Sequence, residues 1–157
     1  MLEEAFLQVY TKFKLHFYKS LFEKIQKRET SLTTVESYCI EIIHALGHPT
    51  IGEFASFIQI SSPNAAYKVN SLIKKGYLIK VQSESDKREY HLEVTDKYHN
   101  YYNLSANYIK KVTQRMRERF SDEEIAEFTK ILMVTSNELM PEVKIKKSML
   151  LEETENK

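Results

Sequence analysis

From Ser61 to Lys75 the chain sets hydroxyls, amides, a phenol and ammonium groups at helical spacing. At about 100° per residue, Ala65, Val69 and Leu72 gather on one side. Pro63, Tyr67, Asn70 and Lys74 fall on the other, flanked by Ala66 and Ser71. An Asn amide can pair with an adenine edge through two hydrogen bonds, and a Tyr can touch a thymine methyl or bond a phosphate. Lys74 and Lys75 suit phosphates, and Ser61, Ser62 and the free first-turn amides around Pro63 and Asn64 can hold one too. Residues 54–83 contain four Lys and no acid, in a chain with 22 acids among 157 residues. By chance that window would hold about four acids. Carboxylates repel phosphate oxygens and ammonium groups attract them, so this stretch is a candidate for lying against duplex DNA. The competing reading is an ordinary solvated helix face. A small residue at Ala66, the missing acids and the segment that follows weigh against it.

The flanking elements could position that face. Thr50 to Glu53 forms a capping box that opens a short helix over 51–58, with Phe54, Ala55 and Ile58 inward. Gln59 and Ile60 make the turn, Ser61 or Ser62 caps the next helix, and Gly76 ends it at Lys75. The period then changes. Residues 78–81 read as a strand, 82–87 as a polar loop, and Tyr90, Leu92 and Val94 alternate as a half-buried strand. Helix, turn, helix and two-stranded wing follow in order.

Outside this lobe the periodicity is helical. Leu2, Phe6, Val9, Phe13, Phe17, Leu21 and Ile25 stripe a helix over 2–28. A second capping box, Thr33 to Glu36, opens a helix over 34–46 that Gly47 and Pro49 stop. Thr95 is expected to cap a long helix over 96–119, and Ser121 to Glu124 to box a last one over 122–139. The fold class expected is mainly α with a small two-stranded wing. The segments are an N-terminal dimerisation helix (1–32), a winged helix-turn-helix lobe (33–95), C-terminal dimerisation helices (96–140) and a charged tail (141–157).

Composition excludes several classes. Three Gly leave no Gly-rich phosphate loop, and there is no nucleophile motif, no His-Glu-x-x-His and no isolated acid pair, so catalytic residues are none and no cofactor is expected. A formal charge of +1 excludes a broadly basic coater of nucleic acid. No apolar run spans a bilayer, no leader is visible and Cys39 is the lone cysteine, so no membrane partner and a cytoplasmic location are expected.

At the wing the sequence resembles the MarR family of bacterial transcription regulators. Asp86-Lys87-Arg88 matches the family's Asp-x-Arg, and Leu92-Glu93-Val94-Thr95 its Leu-x-Leu-Thr. Lys74-Lys75-Gly76-Tyr77-Leu78 is similar to its Leu-x-Lys-Lys-Gly-Leu-Ile, and the likeness runs roughly over residues 5–139. Each motif is weak alone; together with the helix order they are specific. The resemblance implies that Arg88 reaches a minor groove, oriented by a salt bridge with Asp86, with Lys87 beside it. A planar, always-charged fork fits that narrow negative groove; the plainer reading is a surface pair of little energetic consequence. It further implies a homodimer whose terminal helices interlock, reading a pseudo-palindrome in double-stranded DNA, usually as a repressor released by a small molecule, a metal or an oxidant. Two departures stand out. Tyr67 replaces the Arg or Ser of many relatives, so base preference does not transfer, and Tyr98 replaces a common Gly after the wing Thr. A different class, a winged-helix module for protein–protein assembly, remains the alternative.

For an effector, Tyr38, Tyr98, Tyr101 and Tyr102 lie where relatives bind aromatic ligands, although aromatic residues at helical spacing are mostly core. Cys39 sits in an apolar stripe and reads as packing. His44 and His48 have metal-compatible spacing, but the helix ends between them, so no metal site is assigned.

Overall fold

The computed structural model describes residues 1–27, 31–102 and 104–145, without the side chains of residues 101, 102, 104 and 105. In order the elements are α1 (Leu2–Gln26), α2 (Thr34–Leu46), α3 (Ile51–Ile58), α4 (Ser62–Lys74), β1 (Leu78–Gln82), β2 (Tyr90–Val94), α5 (Asp96–Tyr102), α6 (Leu104–Arg119) and α7 (Asp122–Glu138). Two compact units emerge. One joins Met1–Ser20 to Leu104–Lys144, and the other is built on the chain from Leu21 to the end of α5.

The second unit is the winged helix-turn-helix lobe. Its core packs Cys39, Ile40 and Ile43 of α2, Phe54 and Ala55 of α3 and Ala65, Val69 and Leu72 of α4. Tyr77, Leu78, Leu92 and Tyr98 complete it. The three capping boxes form as the sequence predicts, with Thr33–Glu36, Thr50–Glu53 and Ser121–Glu124 each satisfying two helix-start amides. Gln59 takes a left-handed φ of 55° in the turn between α3 and α4. Past α4, the Tyr77 N–H donates to Leu72 O at 3.0 Å and the Gly76 N–H to Ile73 O at 2.9 Å. This is a Schellman closure, and it needs the left-handed Gly76, whose φ is 82°. Tyr77 then drops into the core.

β1 and β2 pair antiparallel, from Leu78 opposite Val94 to Gln82 opposite Tyr90. Leu92 is buried, Val94 packs on the core and Tyr90 is exposed, so the expected alternation holds at the base of the wing and lapses toward its tip. The Leu92 N–H donates to Pro49 O at 2.8 Å, tying the wing to the segment before α3.

In the other unit, the Tyr108 ring of α6 stacks on His16 of α1 at 3.7 Å and meets Phe13 edge-on at 5.2 Å. Leu2, Phe6 and Val9 of α1 and Ile131, Leu132 and Met133 of α7 remain exposed. Among the described residues no helix is long and apolar enough to cross a membrane. The helix expected over 96–119 is described as α5 and α6 on either side of residue 103, which lies outside the described residues. Thr95 differs from expectation: its hydroxyl donates to Gly76 O at 2.7 Å, joining the end of the wing to the close of α4.

Candidate nucleic-acid interface

α4 starts at Ser61, whose hydroxyl accepts from the Asn64 N–H at 3.4 Å, with proline in the first turn. Its inner side chains Ala65, Val69 and Leu72 are fully buried. That fixes the helix rotation and turns Ser62, Pro63, Asn64, Tyr67, Asn70 and Lys74 to solvent. Tyr67 is 76% exposed, although it is one of the larger apolar surfaces in the lobe. Ala66 is half-buried between the two faces. Exposing an aromatic ring on a helix whose other face is locked into the core leaves that ring available for contact.

Beside this face stands β1. The Lys80 ammonium donates to Asn70 Oδ1 at 3.5 Å, bringing a cation from the wing to the middle of α4. Lys80 was not among the expected site residues. Its signals were its place in the acid-free window and its position on a strand. Next to it, Lys80, Asp86, Arg88, Glu89 and Tyr90 line an open groove with Thr50, Ile51 and Gly52 at the start of α3.

The wing tip is organised by its own backbone. The Ser83 N–H donates to Glu89 O and the Glu89 N–H to Asp86 O, each at 2.9 Å. Arg88 grips Asp86 by two side-chain bonds, Nε to Oδ1 and Nη2 to Oδ2, both 3.2 Å, while its own N–H reaches Oδ1 at 2.9 Å. Hydrogen bonds from the Arg88 side chain and backbone hold the Asp86 carboxyl below the usual carboxylate range. The Arg88 side chain stays 91% exposed. Such a fork is held by one edge and presents the rest outward. Lys87 is exposed beside it.

Two expected contact residues are committed elsewhere. Lys75 turns to α2, where its ammonium meets Glu36 Oε2 at 2.7 Å and Oε1 at 2.9 Å and also donates to Ser31 O at 2.9 Å. The Ser71 hydroxyl donates to Glu36 Oε1 at 2.6 Å. The physical reason is burial: Glu36 is only 8% exposed and needs donors. Burial raises its pKa, but hydrogen bonds from Lys75, Ser71 and Thr33 outweigh that and bring it from 4.5 to about 2. In the sequence, Glu36 showed only its capping role.

The proposed effector tyrosines also separate. Tyr98 is fully buried in the lobe core and its hydroxyl donates to Glu41 at 3.0 Å, so packing has claimed it. Tyr38 is 37% exposed, and the side chains of Tyr101 and Tyr102 lie outside the described residues. Cys39 is buried, which pushes its thiol pKa up. His48 meets Glu93 at 3.1 Å, and His44 packs its ring against Tyr98 and His99.

A helix-turn-helix with its second helix turned outward, a paired wing and an Arg at the wing tip define a winged helix-turn-helix domain. Residues 32–90 match the model of the MarR family. Solved structures share the fold. FabT of Streptococcus pneumoniae, solved in complex with DNA, is 22% identical over 88% of this chain and 94% of that one, with a TM-score of 0.52. A MarR family protein from Bacillus stearothermophilus is 17% identical over 88% and 92%, with a TM-score of 0.59. The transcriptional regulator Tm0710 from Thermotoga maritima is 19% identical over 86% and 94%, with a TM-score of 0.57. Among curated proteins, none matches this sequence.

Proposed function

We propose that this chain is a sequence-specific DNA-binding transcription regulator, a repressor that acts as a homodimer on a pseudo-palindromic operator. The observation that carries the reading is the outer face of α4. Tyr67, Asn70 and Lys74 are exposed together, no acid lies among them, Lys80 stands alongside and the Arg88-tipped wing follows. In this reading α4 is the recognition helix. Asn70 and Tyr67 read base edges, Ser61, Ser62 and Lys74 hold phosphates, and Lys87 and Arg88 work at the neighbouring minor groove.

The dimer is supported by the apolar side chains that α1 and α7 leave exposed, Leu2, Phe6, Leu7, Ile131, Leu132 and Met133 among them. A second copy of the same helices would cover them and place two lobes on two half-sites. Release by a small molecule follows from the family likeness and is read by adding candidate ligands to the same assay.

The test is fluorescence anisotropy of the purified chain on a duplex enriched from a random library by binding to it, and on a scrambled duplex, over a range of salt concentrations. A preference of about 100-fold or more with a steep salt slope is the expected result. Failure to enrich any duplex, with no binding at low salt, would overturn the reading in favour of a protein-assembly module.

A further inference from the structure

The contacts of Glu36 go beyond a helix cap. Its carboxylate takes the Thr33 N–H at 2.8 Å as the return arm of the capping box, and the Ser71 hydroxyl and the Lys75 ammonium as well. Those last two partners sit at the C-terminal end of α4, Ser71 at the edge of the Tyr67 and Lys74 face and Lys75 at the C-cap. Lys75 continues to Ser31 O, in the segment that leads into α2. One carboxylate thus fastens the start of α2 to the end of the recognition helix.

We propose that Glu36 is a positioning residue for DNA reading: through Ser71 and Lys75 it sets how α4 is seated, and so where Asn70 and Tyr67 meet the bases. The inference rests on the DNA-binding reading above. The inner face of α4 is held by Ala65, Val69 and Leu72. These apolar contacts set which face of the helix turns inward but, being non-directional, they fix its fine seating less tightly than hydrogen bonds do. Directional, charge-assisted hydrogen bonds resist such movements, and base readout has tight geometric tolerance. Lys75 therefore serves the readout from behind without touching a phosphate.

The signs of the expected effects make the test selective. Glu36→Ala removes one negative charge and releases a Lys from its partner. Attraction to any phosphate backbone should hold or rise, while the cognate geometry is lost. A protein that had merely unfolded in part would lose both in equal measure.

The experiment measures anisotropy of full-length wild type, Glu36→Ala, Glu36→Gln and Lys75→Met on the enriched duplex and a scrambled one, across salt. Glu36→Gln keeps the capping acceptor and controls for loss of the α2 start. For Glu36→Ala, cognate affinity should fall by about tenfold or more, the size of one lost base contact, with scrambled affinity unchanged or higher. Glu36→Gln should lie between Glu36→Ala and wild type. Lys75→Met should lose cognate preference yet keep the wild-type salt slope, because no phosphate contact is removed. Equal losses on both duplexes for Glu36→Ala and Glu36→Gln, or a flatter slope for Lys75→Met, would overturn the proposal while leaving DNA binding intact. If wild type itself prefers no duplex, the DNA-binding reading falls and this proposal falls with it.

Discussion

Replacing Glu36 by Gln should change how the protein tolerates acid. In the folded lobe the Glu36 carboxyl titrates at about 2 rather than 4.5, because Lys75, Ser71 and Thr33 outweigh the cost of its burial. The folded pKa lies below the unfolded one, so the contribution is fully present above about pH 4.5 and is lost as pH falls toward 2. Between those limits the unfolded chain binds up to one more proton at this site. Stability should then drop by up to about 1.4 kcal/mol per pH unit from this group alone, about 3 kcal/mol across the window. The side chain is 11% exposed, so solvent screening removes little of that. The assay is urea unfolding of wild type and Glu36→Gln from pH 6 to 2.5, followed by far-UV circular dichroism because the chain has no Trp. Other carboxylates titrate in both proteins and cancel in the difference. Wild type should be the more stable at pH 6, with the two curves converging toward pH 2.5. Parallel curves throughout would mean that the Lys75 pair does not bias Glu36 ionisation.

Asn70→Ala should lose about 1–3 kcal/mol of discrimination per half-site and leave the salt slope unchanged, measured on the enriched and scrambled duplexes. Equal losses on both would reject base reading. Arg88→Ala should weaken binding most where the flanking minor groove is AT-rich, and a loss independent of flanking sequence in a set of duplexes would reject the minor-groove role. Gly76→Ala should destabilise the lobe by about 1 kcal/mol in urea. The new Cβ would find only Lys97 Cδ at 3.8 Å, so the cost comes from the left-handed φ of 82° and not from crowding; no loss of stability would show that the Schellman turn relaxes freely.

What the sequence revealed followed the range of the interactions. A capping box closes over three residues, so Thr33–Glu36, Thr50–Glu53 and Ser121–Glu124 could be read directly, and the structure forms all three. The two faces of α4 follow from helical geometry, which is why Ala65, Val69 and Leu72 proved to be core. The bidentate Asp86–Arg88 pair is two residues apart and equally local. Tertiary pairings were not legible. Lys75 looked like Lys74, its neighbour, and nothing local tells which of two adjacent lysines meets a carboxylate 39 residues earlier. Ser71 was lost to the same partner. Lys80 reaches Asn70 only because the strand runs back past α4. Tyr98 had the residue type of a ligand-binding group, but the fold buries it and spends its hydroxyl on Glu41.

These pairings also change what the acid-free window means. Its four lysines suggest a face with four free positive charges. Glu36 lies outside the window yet cancels Lys75 in space, and Asp86 partly offsets Arg88 at the wing. Lys68 is half-buried, so on the DNA-binding reading the cations each lobe can spend on phosphates are then mainly Lys74 and Lys80, with Lys87 and the outer edge of Arg88. Each phosphate contact contributes a slope of about 0.9 in log affinity against log salt, so one lobe should contribute fewer than about four. Nonspecific attraction of that size is modest. A chain with a formal charge of only +1 would gain little by adhering to DNA at large. On that reading most of its discrimination must come from the neutral groups, Asn70 and Tyr67, and from what holds them in register, the buried Glu36 carboxylate at the end of the helix.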